Sequence, residues 1–281
     1  MLLTDQYTIY KGVVTLNTFD LTGRTALVTG GGSGMGFGIA TAYAEAGANV
    51  VIADLNEEYI QNSTRKLTEQ GYAAIGCKVD VSSIASFEVA LEEGWRIFGK
   101  VDILANNAGI TINEDALDIT EQNWDKIFTI NTKAVFFCSQ AFAKRLKQHG
   151  LGGNIVIIAS NAAKSAIAGQ VHYSASKAAA ANLAQGLAKE FSRLGINVNA
   201  ICPGGTDTGM LLHCMEDTIE KSGDPTMTVE RLRIDWGTRA PLLGRLIQPI
   251  EIGKAAVFLS SEAATIIRGQ SISMDGGGTP Y

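Results

Sequence analysis

Proline, cysteine and histidine are scarce in this chain: 5, 4 and 3 of 281 residues. Cys77, Cys138, Cys202 and Cys214 show no CxxC spacing, and His149, His172 and His213 are scattered. That pattern gives no metal-ligand motif, and no metal is expected. Cys77, Cys138 and Cys202 sit in apolar contexts and read as reduced core thiols. Basic residues are not in excess: 23 Lys and Arg stand against 28 Asp and Glu, for a net charge of −5. This argues against nucleic acid or an anionic membrane as a main partner, because both reward a basic surface. No apolar run approaches the roughly 18 residues that span a bilayer. Residues 1–20 carry Asp5 and lack a basic start followed by an apolar core, so no signal peptide is expected. A cytoplasmic location is the expectation.

What is present is the material of a folded α/β domain. Hydrophobic residues make up 46% and charged residues 18%, with 31 glycines for tight turns. Short β-rich apolar runs fall at 25–28, 49–52, 74–79, 103–105, 155–158, 198–201 and 271–274. Helical periods fill the intervals, notably at 35–47, 55–70, 132–146 and 173–194. Near-continuous apolar strands alternating with helices imply a parallel sheet covered on both faces. Right-handed crossovers make it a doubly wound, seven-stranded sheet in a single domain, with ligands at the strands' carboxyl ends. Two stretches stand outside the alternation. One is an arm at 1–17 ahead of the domain at 18–281. The other is 209–245, which reads as irregular and is interrupted by Gly223 and Pro225.

The first strand runs into Thr29-Gly-Gly-Gly-Ser-Gly-Met-Gly36. Glycines there let the backbone turn sharply and approach a pyrophosphate, at which the next helix points its free N–H groups. Asp54 ends the second strand, 24 residues after Gly30. A carboxylate there binds both adenosine ribose hydroxyls and repels a 2′-phosphate. No base follows within 55–58, and position 33 is Ser, so NAD is expected over NADP. As a bland alternative, Asp54 is a helix N-cap.

Tyr173 and Lys177 stand at i and i+4 of a helical segment, on one face. A neighbouring ammonium favours the phenolate, which yields a general acid/base near neutrality. Ser160 closes the fifth strand, Asn131 begins a helix, and Asn106-Asn107-Ala108-Gly109 follows the fourth strand. Singly, these are a turn residue, an N-cap and a turn former. Together they surround one crevice.

On these motifs, with Asp80-Val81, Pro203-Gly204 and Asp275-Gly276-Gly277, the chain resembles the short-chain dehydrogenase/reductase family over residues 19–278. The resemblance implies a Rossmann-type fold and an NAD-dependent oxidoreductase that moves hydride between nicotinamide and a secondary alcohol or ketone. It implies that Tyr173 exchanges the proton of the substrate oxygen, which Ser160 orients. Lys177 would lower the Tyr173 pKa and hold the nicotinamide ribose. Asn131 would support Lys177 through water. Gly30, Ser33, Gly34, Met35 and Gly36 would hold phosphates, and Asp54 and Leu55 the adenosine ribose. Asp80 and Val81 would flank adenine, and Asn106, Asn107, Ala108 and Gly109 would line the cofactor. Pro203, Gly204, Thr206 and Thr208 would meet the nicotinamide half. Thr206 and Met35 both stand where the family usually has isoleucine, and neither change removes a functional group.

The resemblance makes 209–245 the substrate lid. Its five bases (Lys221, Arg231, Arg233, Arg239, Arg245) nearly balance six acids, so it does not point to a charged substrate. A small polar substrate, a sugar or polyol, is expected, and residues 278–281 resemble the end of polyol dehydrogenases. The alternatives are a 3-oxoacyl thioester reductase and a non-catalytic NAD-binding sensor. Cys214, His213 and Trp236 are pocket candidates. His172, Trp95 and Trp124 read as structural. By family analogy the protein is a homotetramer.

Overall fold

The structure is a computed structural model that describes residues 18–238 and 242–279. The expected arm at 1–17, Arg239 and the terminal Pro280 and Tyr281 lie outside the described residues. The elements, in order, are β1 (Thr25–Thr29), α1 (Gly34–Glu45), β2 (Asn49–Asp54), α2 (Glu57–Glu69) and β3 (Ala74–Lys78). Then come α3 (Ile84–Phe98), β4 (Ile103–Asn106), α4 (Glu121–Phe128), α5 (Ala134–Gln148) and β5 (Gly153–Ile158). The chain continues with α6 (Val171–Phe191), β6 (Ile196–Pro203), α7 (Gly209–Ser222), α8 (Val229–Thr238), α9 (Pro249–Ser260) and β7 (Ser271–Met274).

All strand pairings are parallel, in the order β3-β2-β1-β4-β5-β6-β7. Successive strand side chains point to opposite faces, and the core divides accordingly. Leu104, Ile155 and Ile157 pack with Phe87 of α3, Phe142 of α5 and Leu187 of α6. Ile103, Ala105, Val156 and Ile158 pack with Ile39 and Tyr43 of α1 and Ile252 of α9. Helices α1 and α9 approach closely because two glycines face each other across the contact. A β-carbon on Gly38 would sit 2.5 Å from the Pro249 backbone, and one on Gly253 would sit 2.5 Å from the Gly38 carbonyl oxygen.

Two expectations need correction. Residues 209–245 are not irregular through most of their length: they form α7 and α8, joined by a turn in which Gly223 has φ +63°. Thr208 caps α7 by accepting the Leu211 N–H at 3.3 Å, and Met215, Leu232 and Leu246 give the pair a small core of its own. Asn131 does not begin a helix. It lies in a wide π-helical turn, Thr129–Lys133, between α4 and α5.

Candidate active site

The sheet's order reverses between β1 and β4, and there the strand ends part to leave a crevice. The glycine loop enters it directly from β1. Gly30 has φ +61° and Gly34 φ +49°, conformations that side chains rarely take. Gly36 leaves no room at all: a β-carbon there would lie 1.9 Å from the Gly30 oxygen. Asn107 clamps this turn from the next strand, donating Nδ2 to Thr29 O at 3.0 Å and Gly30 O at 3.1 Å.

Asp54 meets the loop from β2. Its Oδ2 accepts the Gly32 N–H at 2.9 Å and its Oδ1 accepts the Asn56 N–H at 3.1 Å. The capping role falls to Asn56, which accepts the Tyr59 N–H at 3.1 Å. A cavity of about 530 Å³ runs past the glycine loop, Asp54, Leu55, Asp80, Val81, Asn107, Ala108 and Gly109 to Tyr173, Lys177 and Thr208. Its lining suits a dinucleotide: a backbone cradle that a single β-carbon would fill, a carboxylate beside it, and a helix N-terminus. Of the expected contacts, Pro203, Gly204 and Thr206 are not in this lining, and neither is Asn106. Its side chain is buried and donates to Ser139 Oγ at 2.9 Å, away from the crevice.

A second cavity, of about 980 Å³, opens beside the first, and Tyr173, Met35 and Thr208 line both. Ser160, Pro203, Gly204 and Thr206 line this second cavity, as do Cys214 and Trp236 from the lid helices. Sequence reasoning missed Thr111, Asn113, Glu114 and Gln170 on its wall. The one available signal was their position just after the carboxyl end of β4 and just before Tyr173.

Ser160 takes its place at the end of β5, where its Oγ accepts the Ala162 N–H at 3.1 Å. Lys177 Nζ donates to Ile158 O at 2.9 Å and lies 5.9 Å from the Tyr173 ring centre. Asn131 brackets the neighbouring loop, with Oδ1 accepting the Ile110 N–H at 2.9 Å and Nδ2 donating to Ile110 O at 2.9 Å. The wide helical turn aims this amide inward. A β-carbon on Gly109 would lie 3.1 Å from Lys177 Nζ and 3.2 Å from Asn131 Oδ1, so Gly109 keeps the space between them open.

The electrostatics depart from expectation. Burial pushes the Tyr173 phenol above its ordinary value, against a downward pull from its hydrogen bond with Ser160. Burial also pushes Lys177 down to about 8. Desolvation disfavours both charged forms and is the largest cause of each shift. The amine beside the phenol ring donates to the Ile158 carbonyl.

The residues set aside stay structural. His172 is fully buried, with Nε2 3.6 Å from Glu114 Oε2. Trp95 stacks on His149 at 4.2 Å and Trp124 on Phe128 at 4.9 Å. His213 is exposed and does not line the cavity. Among the described residues no group of three His, Cys, Asp or Glu is placed to hold a metal. Nor is any helix there long and apolar enough to cross a membrane.

Known proteins resemble this chain over most of its length. A family profile described as enoyl-(acyl carrier protein) reductase matches residues 30–279. The 2-dehydro-3-deoxy-D-gluconate 5-dehydrogenase of Dickeya dadantii is 37% identical over 93% of this chain and 98% of its own. The D-threitol dehydrogenase of Mycolicibacterium smegmatis is 37% identical over 93% and 95%. A crystal structure from Agrobacterium tumefaciens, provisionally assigned as a 2-deoxy-D-gluconate 3-dehydrogenase with bound NADP, superposes with a TM-score of 0.81 at 34% identity, covering 94% of this chain and 100% of that one. The chain belongs to the short-chain dehydrogenase/reductase family of oxidoreductases.

Proposed function

We propose that the protein is an NAD-dependent dehydrogenase of a sugar or polyol, interconverting a secondary alcohol and a ketone. The observation that carries the reading is the position of Tyr173 on the boundary of the two cavities, with Ser160 and Lys177 beside it. A bound nicotinamide supplies hydride exchange there. The chain's own residues handle placement and the proton. Ser160 Oγ hydrogen-bonds the substrate oxygen. The Tyr173 hydroxyl gives that oxygen a proton in reduction, and the Tyr173 phenolate takes it in oxidation. The Lys177 ammonium stabilises the phenolate as it forms, and Asn131 fixes the loop that holds the neighbouring backbone.

The preference for NAD rests on Asp54. Its carboxylate occupies the ribose end of the cleft, and residues 55–58 add two more acids and no base. The nearby Lys78 is paired with Glu57 at 2.6 Å. A 2′-phosphate would meet negative charge. The relatives named for a gluconate derivative and for threitol favour a polyhydroxylated substrate over an acyl thioester. Family analogy extends the reading to a cytoplasmic homotetramer; sedimentation of the purified protein tests the tetramer and fractionation of cells the location.

The deciding experiment is a panel of polyols, sugars and hydroxy acids with NAD and with NADP, followed by absorbance of the reduced nicotinamide. Turnover of a polyol or sugar is expected, with kcat/KM at least tenfold higher for NAD. Dinucleotide binding without turnover of any alcohol or ketone would favour the sensor instead.

A further inference from the structure

The wall of the substrate cavity between the loop after β4 and lid helix α7 is a hydrogen-bonded polar surface. Asn113 lies in the loop after β4, and Asp217 comes down from lid helix α7. Asn113 Nδ2 donates to Asp217 Oδ2 at 2.8 Å, while Asn113 Oδ1 accepts from Gln170 Nε2 at the start of α6. Lys221 Nζ donates to Asn113 O at 2.6 Å and to Asp217 Oδ2 at 3.1 Å. Burial raises the Asp217 carboxyl. Its hydrogen bonds from Asn113 and Lys221 outweigh that and hold it below the usual carboxylate range. Asp217 is therefore ionised at neutral pH. Lys221, the one base among the described lining residues of this cavity, is already turned into its wall.

A substrate carboxylate entering here leaves water and needs a cation. It meets Asp217, with Glu114, Asp115, Asp118 and Asp275 around the same cavity. A hydroxyl has the opposite requirement: its hydrogen needs an acceptor, and a carboxylate is the strongest one available. We propose that Asp217, fixed by Asn113, reads substrate hydroxyls, and that this cavity selects a neutral polyhydroxy compound against the sugar acid of the same chain. The inference rests on the oxidoreductase reading above and decides between the two kinds of substrate named among the relatives.

The test compares a polyol with the aldonic acid of the same carbon number and configuration, with NAD. The expected result is kcat/KM at least tenfold higher for the neutral compound. Asp217→Asn should narrow that ratio at least tenfold, mainly by raising KM for the polyol and lowering it for the acid. An unchanged melting temperature shows that the variant is folded. In the wild type, raising the salt from about 0.05 to about 0.5 M should also narrow the ratio, because screening relieves repulsion of the acid alone. That arm does not depend on the variant's folding. A preference for the acid, a ratio unmoved by Asp217→Asn, or a ratio widened by salt overturns the proposal while leaving the oxidoreductase reading intact. Failure to turn over any alcohol or ketone with either dinucleotide removes both.

Discussion

The two cavities that meet at Tyr173 are built by different means. The dinucleotide cleft is made of strand ends and backbone: Gly30, Gly36 and Ala108 approach within contact distance, and Asn107 bolts β4 to the glycine loop. The substrate cavity is closed by α7 and α8, which rest on a small core of Met215, Leu232 and Leu246. Exposed side chains fill most of the stretch between them. A rigid cleft fixes the shared half of the chemistry, and a lightly anchored lid carries the half that differs among relatives. Substitutions on the cleft side should therefore lower turnover of every substrate, whereas those on the lid side should shift which substrate is preferred or do little.

The largest expected effect is at the boundary. Tyr173→Phe removes one oxygen and the only proton that the mechanism moves. It should lower kcat by a factor of about 100 to 10,000, with NADH binding unchanged by fluorescence titration. Retention of more than a few per cent of activity would falsify the assignment of the acid/base. Next is Gly36→Ala. The added carbon has 1.9 Å of space against the Gly30 oxygen, so loop and helix must separate. A loss of about 1–3 kcal/mol in stability is expected, read by denaturant melts, together with weakened dinucleotide binding.

Lys177→Met separates the cleft's chemistry from its stability. The folded-state value of about 8 lies below the ordinary 10.5, because burial disfavours the ammonium. Between those two values the unfolded chain holds a proton that the folded chain has released, so wild-type stability rises with pH through that window. Below about pH 8 the buried charge is retained at a cost. Removing it should stabilise the protein at pH 7 by about 1–2 kcal/mol while ending catalysis. A fall in melting temperature would show that its bond to the Ile158 carbonyl outweighs desolvation. Asp54→Ala should raise kcat/KM for NADP relative to NAD about tenfold, equivalent to about 1.4 kcal/mol. A ratio that does not move would place 2′-phosphate discrimination elsewhere.

The same division governs what was legible in the sequence. The cleft announces itself because strand, glycine loop and acidic strand end are contiguous and their spacing is set by the fold. The sheet was legible in all seven strands, though β6 runs Ile196–Pro203 and begins earlier than its apolar stretch. Asn197 and Asn199 interrupt the pattern, and tertiary bonds hide the reason: both amides donate to Ile267 O, at 2.9 and 2.7 Å. The lid helices were not legible, because Gly209 opens the first and Gly223 and Pro225 break the run between the two, a pattern that reads as loop. The direction of Asn106, the π-helical turn at Asn131 and the raised Tyr173 phenol all depend on what packs around them. No local spacing contains that information.

The smallest effect tests the lid by the same substitution that breaks the cleft. Gly209 opens α7 at the rim of the dinucleotide cleft, is exposed and has nothing within 4 Å of the position a β-carbon would take. Its φ lies outside the left-handed region, so alanine fits its backbone. The folded state loses nothing, and the unfolded chain loses freedom. Gly209→Ala should therefore stabilise the protein by about 0.4–1 kcal/mol, with kcat for any substrate within about twofold. Set beside Gly36→Ala, it asks whether the lid tolerates what the cleft does not. If the variant is destabilised, or kcat falls tenfold, then α7 must bend at its first residue during turnover, and the lid is as constrained as the cleft it covers.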